Sequence, residues 1–198
     1  NGISVNNKYN ENFKYKICKN SVGIIGNLEE RKGHKVLFYA WSEVIKKFPD
    51  CKLYIVTSFT SGNKTKLEKL AEKLGISNHL EWIPYQKDIE NIYKALKIVV
   101  MPSITNESFG RIAIESMAFS VPIIASKIGG LKEIISDNFD GLLFEKNDYN
   151  ELKNLLLRLL TDEKLYFKLS INGYEKYINH FNAKKMSNEY YELINCEK

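Results

Sequence analysis

Short apolar runs alternate along the chain with longer amphipathic ones. The short runs, residues 21–26, 52–57, 80–84, 98–101, 122–126 and 141–144, are four to six residues long and rich in Ile, Val and Leu. Runs of that length and composition predict strands buried on both faces. Between them, residues 34–48 place Val36, Leu37, Ala40, Trp41, Val44 and Ile45 on one helical face, and Pro49-Asp50 stops the helix. Ser61-Gly62-Asn63 reads as a turn before a helix over 64–74, which Gly75 closes in the left-handed position. Asp88 is placed to cap a helix over 89–96. A further helix runs to about residue 119, and Gly129-Gly130 introduces a short one over 131–135. Beyond residue 147 the pattern is helical only, over 149–160, 163 to about 179, and 184–194.

Strands that alternate with helices predict an α/β fold: a six-stranded parallel sheet with helices on both faces, a three-layer α/β/α arrangement. Such a sheet binds ligands where loops leave the carboxyl ends of its strands. Residues 1–20 have no sustained period and read as a lead-in or linker to a single domain spanning 1–198, with 180–198 as its C-terminal helix. The start, Asn1-Gly2-Ile3, has no Met and no signal pattern, and reads as a cut into a longer protein.

Composition narrows the function classes. At 44% hydrophobic and 27% charged the chain is an ordinary globular sequence, and no apolar run approaches the roughly 20 residues of a membrane span. Cys18, Cys51 and Cys196 are odd in number and lack metal-ligand spacing, which favours a reducing, cytoplasmic compartment. The net charge of +5 is spread as Lys and Glu along helical faces. That is not the clustered basic stripe of a nucleic-acid binder, so no nucleic-acid partner is expected, while weak attraction to an anionic membrane surface or to phosphates is. His34, His79 and His180 lie in separate segments, and residues 137–140 read as a turn, so no metal site is expected.

The candidate chemistry gathers in three loops at carboxyl strand ends. The first offers Gly26, Asn27, Arg31 and Lys32. The second, within Pro102 to Glu115, offers Glu107 and the amides at Phe109, Gly110 and Arg111 at the start of a helix. The third offers Ser126 and Gly129-Gly130. Cations and amides at a positive helix end stabilise phosphate oxygens, while carboxylates accept from sugar and ribose hydroxyls. Glu107 and Glu115 are eight residues apart, about 12 Å along a helix axis, too far to share a proton or a metal ion. They suit two ends of an extended ligand carrying a diphosphate and several hydroxyls.

The pattern Pro-Ser-x-x-x-Glu-x-Phe-Gly-x-x-x-x-Glu, here Pro102 to Glu115, resembles the Glu-x7-Glu signature of retaining family 4 glycosyltransferases of the GT-B fold. Gly23 to Gly33 resembles that family's phosphate-binding loop. Ala118-x-x-x-Pro122, Ile124-Ala125-Ser126 and Gly129-Gly130-x-x-Glu133 resemble its following segment. The resemblance implies a Rossmann-like domain, the C-terminal, donor-binding half of a GT-B fold. It implies Glu107 against the donor sugar, and the Gly110, Arg111 and Ile112 amides on the distal phosphate. Glu115 would hold the ribose and Lys32 the leaving diphosphate, with Ile83 and Tyr85 bordering the base. The implied reaction transfers a sugar with retention from a nucleotide-sugar, UDP-sugar as the first expectation, without a metal or other cofactor. The acceptor would be a cell-surface or capsular glycan or a lipid-linked acceptor, bound by an N-terminal domain absent from this chain, so the chain alone would be inactive. Such an enzyme would sit in the cytoplasm or peripherally at the inner face of the membrane.

One position departs from the family pattern: Asn27 stands where an Arg usually follows the first loop's Gly, leaving Arg31 as the neighbouring cation. Two other functions share the motif set, a non-catalytic nucleotide-sugar-binding module and a GT-B nucleotide-sugar epimerase or phosphorylase. The phosphorylase would want a Schiff-base lysine in context, which the sequence does not display.

Overall fold

The structure, a computed structural model, describes residues 21–58, 63–85, 89–107 and 109–183. The expected lead-in 1–20, most of the turn at 61–63, the capping Asp88 and the helix over 184–194 lie outside the described residues.

Six strands form one all-parallel sheet: β1 (Ser21–Ile25), β2 (Lys52–Thr57), β3 (Leu80–Pro84), β4 (Ile98–Met101), β5 (Ile123–Ser126) and β6 (Leu142–Phe144). Their spatial order is β3-β2-β1-β4-β5-β6, so the winding reverses between β1 and β4. The helices are α1 (His34–Lys47), α2 (Asn63–Leu74), α3 (Glu90–Ala95), α4 (Arg111–Ala118), α5 (Leu131–Ile134), α6 (Tyr149–Thr161) and α7 (Glu163–Lys176). This is the expected Rossmann-like three-layer α/β/α architecture.

Strand residues alternate between two cores, as period-2 side chains must. Ile98, Val100 and Ile124 join α1, α2 and α6 on one face; Val99, Met101, Ile123 and Ala125 join α3, α4 and α5 on the other. The buried stripe of α1 is Leu37, Phe38, Ala40, Trp41 and Val44, with Val36 and Ile45 at its margins. Asp148 and Asp162 cap α6 and α7 by accepting from the amides of Glu151 and Leu165, both at 2.9 Å. Helix α7 starts on the first face, with Leu165, Tyr166 and Leu169. Its continuation, a π-helical turn at Tyr177–Phe181, places Tyr177 in the second core. The regular helix expected to about residue 179 therefore ends at Lys176, where the π-helical turn takes over. The segment 137–140 is the expected turn, and its Asp140 is buried against Lys176 at 2.8 Å.

His34, at the first turn of α1, is 3% exposed, and neither ring nitrogen has a hydrogen-bond partner among the described residues. Burial, aided by the charge of Lys32, holds it neutral, with a pKa lowered from 6.5 to about 4. The unfolded chain takes up a proton near pH 6.5 and the folded chain only near 4. Stability tied to this residue is therefore full above pH 6.5 and is lost as pH falls between those values. Urea unfolding at pH 7.5 and pH 4.5 should show a loss about 2–3 kcal/mol larger in the wild type than in His34→Leu. Equal losses would place the acid sensitivity elsewhere.

Candidate functional site

The reversal between β1 and β4 opens a crevice at the carboxyl ends of the central strands, the position where doubly wound sheets take their ligands. Two loops meet there. The loop after β1 turns at Gly26, whose amide donates to Val56 O at 2.9 Å, then passes through a 3-10 turn at Glu30–Lys32 to Gly33. The loop after β4 runs from Pro102 to Gly110. The two are joined by backbone: Ile104 N donates to Arg31 O at 2.8 Å. Gly33, at φ 70°, lies so close to Pro102 that a Cβ there would stand 1.8 Å from its carbonyl oxygen.

This stapling brings Lys32 against Glu107. Lys32 Nζ lies 2.6 Å from Glu107 Oε1, Ser103 Oγ donates to the same oxygen at 2.8 Å, and Arg31 Nη1 stands 3.9 Å from it. Burial pushes the Glu107 carboxyl up, but hydrogen bonds from Lys32 and Ser103, with the charges of Lys32 and Arg31, outweigh it. Its pKa therefore falls below the ordinary 4.5, and it is an anion at neutral pH. Glu107 sits in the loop ahead of α4, not in the helix.

Glu115, one turn into α4, is 4% exposed. Arg111 Nε donates to its Oε1 at 2.7 Å and the Tyr93 hydroxyl to its Oε2 at 2.9 Å. Gly110 caps α4 at φ 49°, so the Gly110, Arg111 and Ile112 amides belong to the first turn, where helices have donors to spare. Phe109 is partly exposed beside them.

The third loop supports the second. Gly130 N donates to Glu107 O at 3.1 Å, and a Cβ on Gly129, at φ 43°, would meet that same oxygen at 2.9 Å. Gly129-Gly130 thus does more than open α5: it lets this loop lie against the backbone of Glu107. Ser126, at the end of β5, is fully buried and its hydroxyl has no partner among the described residues.

Asn27 points its side chain away from any cationic role. Its carbonyl oxygen accepts from Ser58 Oγ at 2.7 Å and its amide nitrogen contacts Glu29. Arg31, whose side chain starts several residues further on, nonetheless reaches the Lys32–Glu107 pair while bonded to Glu29 Oε2 at 2.5 Å. At the end of β3, Ile83 packs at the margin of the second core, and Tyr85 is half exposed in the neighbourhood of Tyr93 and Arg111. Two residues with contacts to the glutamates carried no assigned role in the sequence. Ser103 had a signal, its place in the Pro-Ser of the motif; Tyr93 had none, because its contact depends on how α3 packs on α4. Among the described residues no group of three or more His, Cys, Asp or Glu side chains is arranged to hold a metal ion, and no helix is long and apolar enough to cross a membrane.

The arrangement joins cations, carboxylates and a helix N-terminus at one strand-order reversal, in a chain that has known relatives. The family described as Glycosyl transferases group 1 matches residues 8–176. A D-inositol 3-phosphate glycosyltransferase of Corynebacterium urealyticum is 34% identical over 149 residues, 72% of this chain and 35% of that protein. An uncharacterized glycosyltransferase of Methanocaldococcus jannaschii is 32% identical over 179 residues, 87% of this chain and 48% of that protein. The chain thus spans about a third to a half of the length of these relatives. Among solved structures, the C-terminal domain of a glycosyl transferase group 1 family protein from Francisella tularensis superposes with a TM-score of 0.75 at 31% identity, covering 83% of this chain and 87% of that one. The Anabaena HepE protein, solved in complex with UDP, shares the fold with a TM-score of 0.82 at 23% identity, over 90% of this chain and 49% of that one. Matched along nearly its whole described length and folded like the C-terminal half of a GT-B enzyme, the chain belongs to the glycosyl transferases group 1 family.

Proposed function

We propose that this chain is the donor-binding half of a retaining, family 4 glycosyltransferase that moves a hexose from a nucleotide-sugar to a glycan or lipid-linked acceptor. The observation that carries the reading is the Lys32–Glu107 pair, 2.6 Å apart at the strand-order reversal, with Arg31 beside it and Glu115 one turn into the following helix. Such a row matches the charge sequence of a nucleotide-sugar. Glu107 meets the sugar near the breaking bond, Lys32 and Arg31 take the charge of the departing diphosphate, and Glu115 accepts from the ribose. The Gly110, Arg111 and Ile112 amides hold the distal phosphate, Gly26 and Gly129-Gly130 let backbone close on the ligand, and Ile83 and Tyr85 border the base. With two cations and a helix N-terminus available for leaving-group charge, the reaction runs without a metal ion.

UDP is the favoured nucleotide, a choice supported by structural neighbours solved with UDP and with UDP-glucose. The acceptor site belongs to a preceding N-terminal domain, a reading in keeping with the share of the relatives' length that this chain spans. Without that domain the chain binds donor but does not transfer it. We place the complete enzyme in the cytoplasm or peripherally at the inner face of the membrane, making cell-surface polysaccharide; the net charge of +5 suits an anionic surface.

Calorimetry of the 198-residue chain with UDP and with GDP tests the first step. Saturable heat with one of them, unchanged by EDTA, is the expected result. No heat with either up to millimolar concentration would overturn the reading, and a strict need for a divalent ion would overturn its metal-free form.

A further inference from the structure

The two oxygens of Glu115 are held by very different partners. Oε2 accepts from Tyr93, which has no exposed surface and stacks on Phe119 with ring centroids 5.1 Å apart and planes 15° from parallel. Oε1 accepts from Arg111, whose side chain is 71% exposed. A guanidinium in that much water stays solvated when it lets go, so Arg111 can give up this contact once another donor takes its place on Oε1. A phenol locked in the core cannot leave without breaking its packing. Phe119 closes the carboxyl end of α4, the helix that carries Glu115, so ring and carboxylate are fixed to the same body.

We propose that Tyr93 is a positioning residue that holds Oε2 permanently and so presents Oε1, with Arg111 as its replaceable occupant, to the ribose hydroxyls of the donor nucleotide. This rests on the reading of Glu115 as the ribose acceptor. The chemistry is consistent at both ends. A buried carboxylate is tolerated only with donors in place, and Tyr93 supplies one that does not depend on ligand. Burial, then the neighbouring charge of Glu115, hold the Tyr93 hydroxyl well above its ordinary range, so it remains a donor across the working pH. Each carboxylate oxygen has two acceptor positions, so Oε1 has room for a ribose hydroxyl beside Arg111 as well as in its place. Helix α3 supplies none of the other groups named for the site, so Tyr93 acts only through Glu115.

The test compares UDP with 2′,3′-dideoxy-UDP by calorimetry on the 198-residue chain, using the corresponding GDP pair if GDP binds more tightly. The wild type should prefer the intact ribose by about tenfold or more. Tyr93→Phe keeps the ring and its stacking; it should lose about tenfold in affinity for UDP, leave the dideoxy affinity unchanged, and so erase the preference. Phe119→Leu keeps the hydroxyl and frees the ring, and should reduce the preference by a smaller factor, which covers the case of a poorly folded Tyr93→Phe. A residue that merely stabilised the fold would weaken both nucleotides alike. If the wild type binds UDP and its dideoxy analogue equally, the ribose reading of Glu115 falls, and Tyr93 with it. If the wild type discriminates and both variants do so equally well, Tyr93 alone loses its role.

Discussion

Gly33→Ala is expected to strip the chain of a large part of its stability. The new Cβ would stand 1.8 Å from the Pro102 carbonyl oxygen and 2.7 Å from its carbon, backbone atoms that move only if β4 or its loop moves. The left-handed φ of 70° adds its own penalty for a residue with a side chain. Together these should cost more than about 4 kcal/mol, a large share of the roughly 5–15 kcal/mol that stabilises a typical domain. Gly75→Ala is the matched control. Its φ is 69°, yet nothing lies within 4 Å of the added Cβ, so only the conformational cost of about 1 kcal/mol remains. Urea titrations followed by circular dichroism separate the two. Equal shifts would show that the Gly33 contact relaxes freely.

Lys32→Met should abolish most of the function while leaving most of the fold. The methionine fills similar space but removes the cation from Glu107 Oε1, which keeps Ser103 at 2.8 Å and Arg31 at 3.9 Å. With side chains 19% and 12% exposed, the pair is partly shielded, so its loss should cost about 1–2 kcal/mol of stability, less than a buried pair would. The sign is definite. A carboxyl held below its ordinary value stabilises the fold at neutral pH, and that contribution is lost as pH falls through the folded pKa. The variant should lose that part of its acid dependence. On the proposed role of Lys32, binding of UDP should weaken about tenfold or more through loss of a charge-assisted contact to the diphosphate. In the complete enzyme, transfer should fall about 100- to 1,000-fold, the range for removing one electrostatic contact to developing charge. Transfer within tenfold of the wild type would remove Lys32 from the leaving-group role.

The periodic parts of the fold were legible residue by residue. Strands of four to six apolar residues and the 37–41–44 stripe of α1 are direct readings of burial, and they reappear within a residue or two. The strand order was not written in the periodicity, since the central strands β1, β4 and β5 are apolar on both faces alike; the motif supplied the place of the site. Helix ends shifted where caps or tertiary turns intervene, as at Asn63 and at the π-helical turn after Lys176. Glu107, Glu115 and Lys32 could be named from spacing, but their partners could not. Tyr93 lies 22 positions before Glu115, on a helix for which the sequence offered only bounds and a cap. Arg31 was separated from the site by position alone, and the 3-10 turn shortened that separation. His34 read only as a residue without metal-ligand spacing; its burial at the start of α1 comes from packing that the sequence does not spell out.

Lys32 and Glu107 are 75 residues apart, and only the pairing of β1 with β4 brings them together. Their backbone staple, Ile104 to Arg31, is equally remote in sequence. Contacts of that separation form late, because the loop entropy they demand is met only after local structure is in place. The site is therefore a product of completed folding rather than a seed for it. A nucleotide that needs both loops has nothing to grip in a half-folded chain. Its binding then acts on the native state, slowing unfolding while leaving the rate of folding almost untouched.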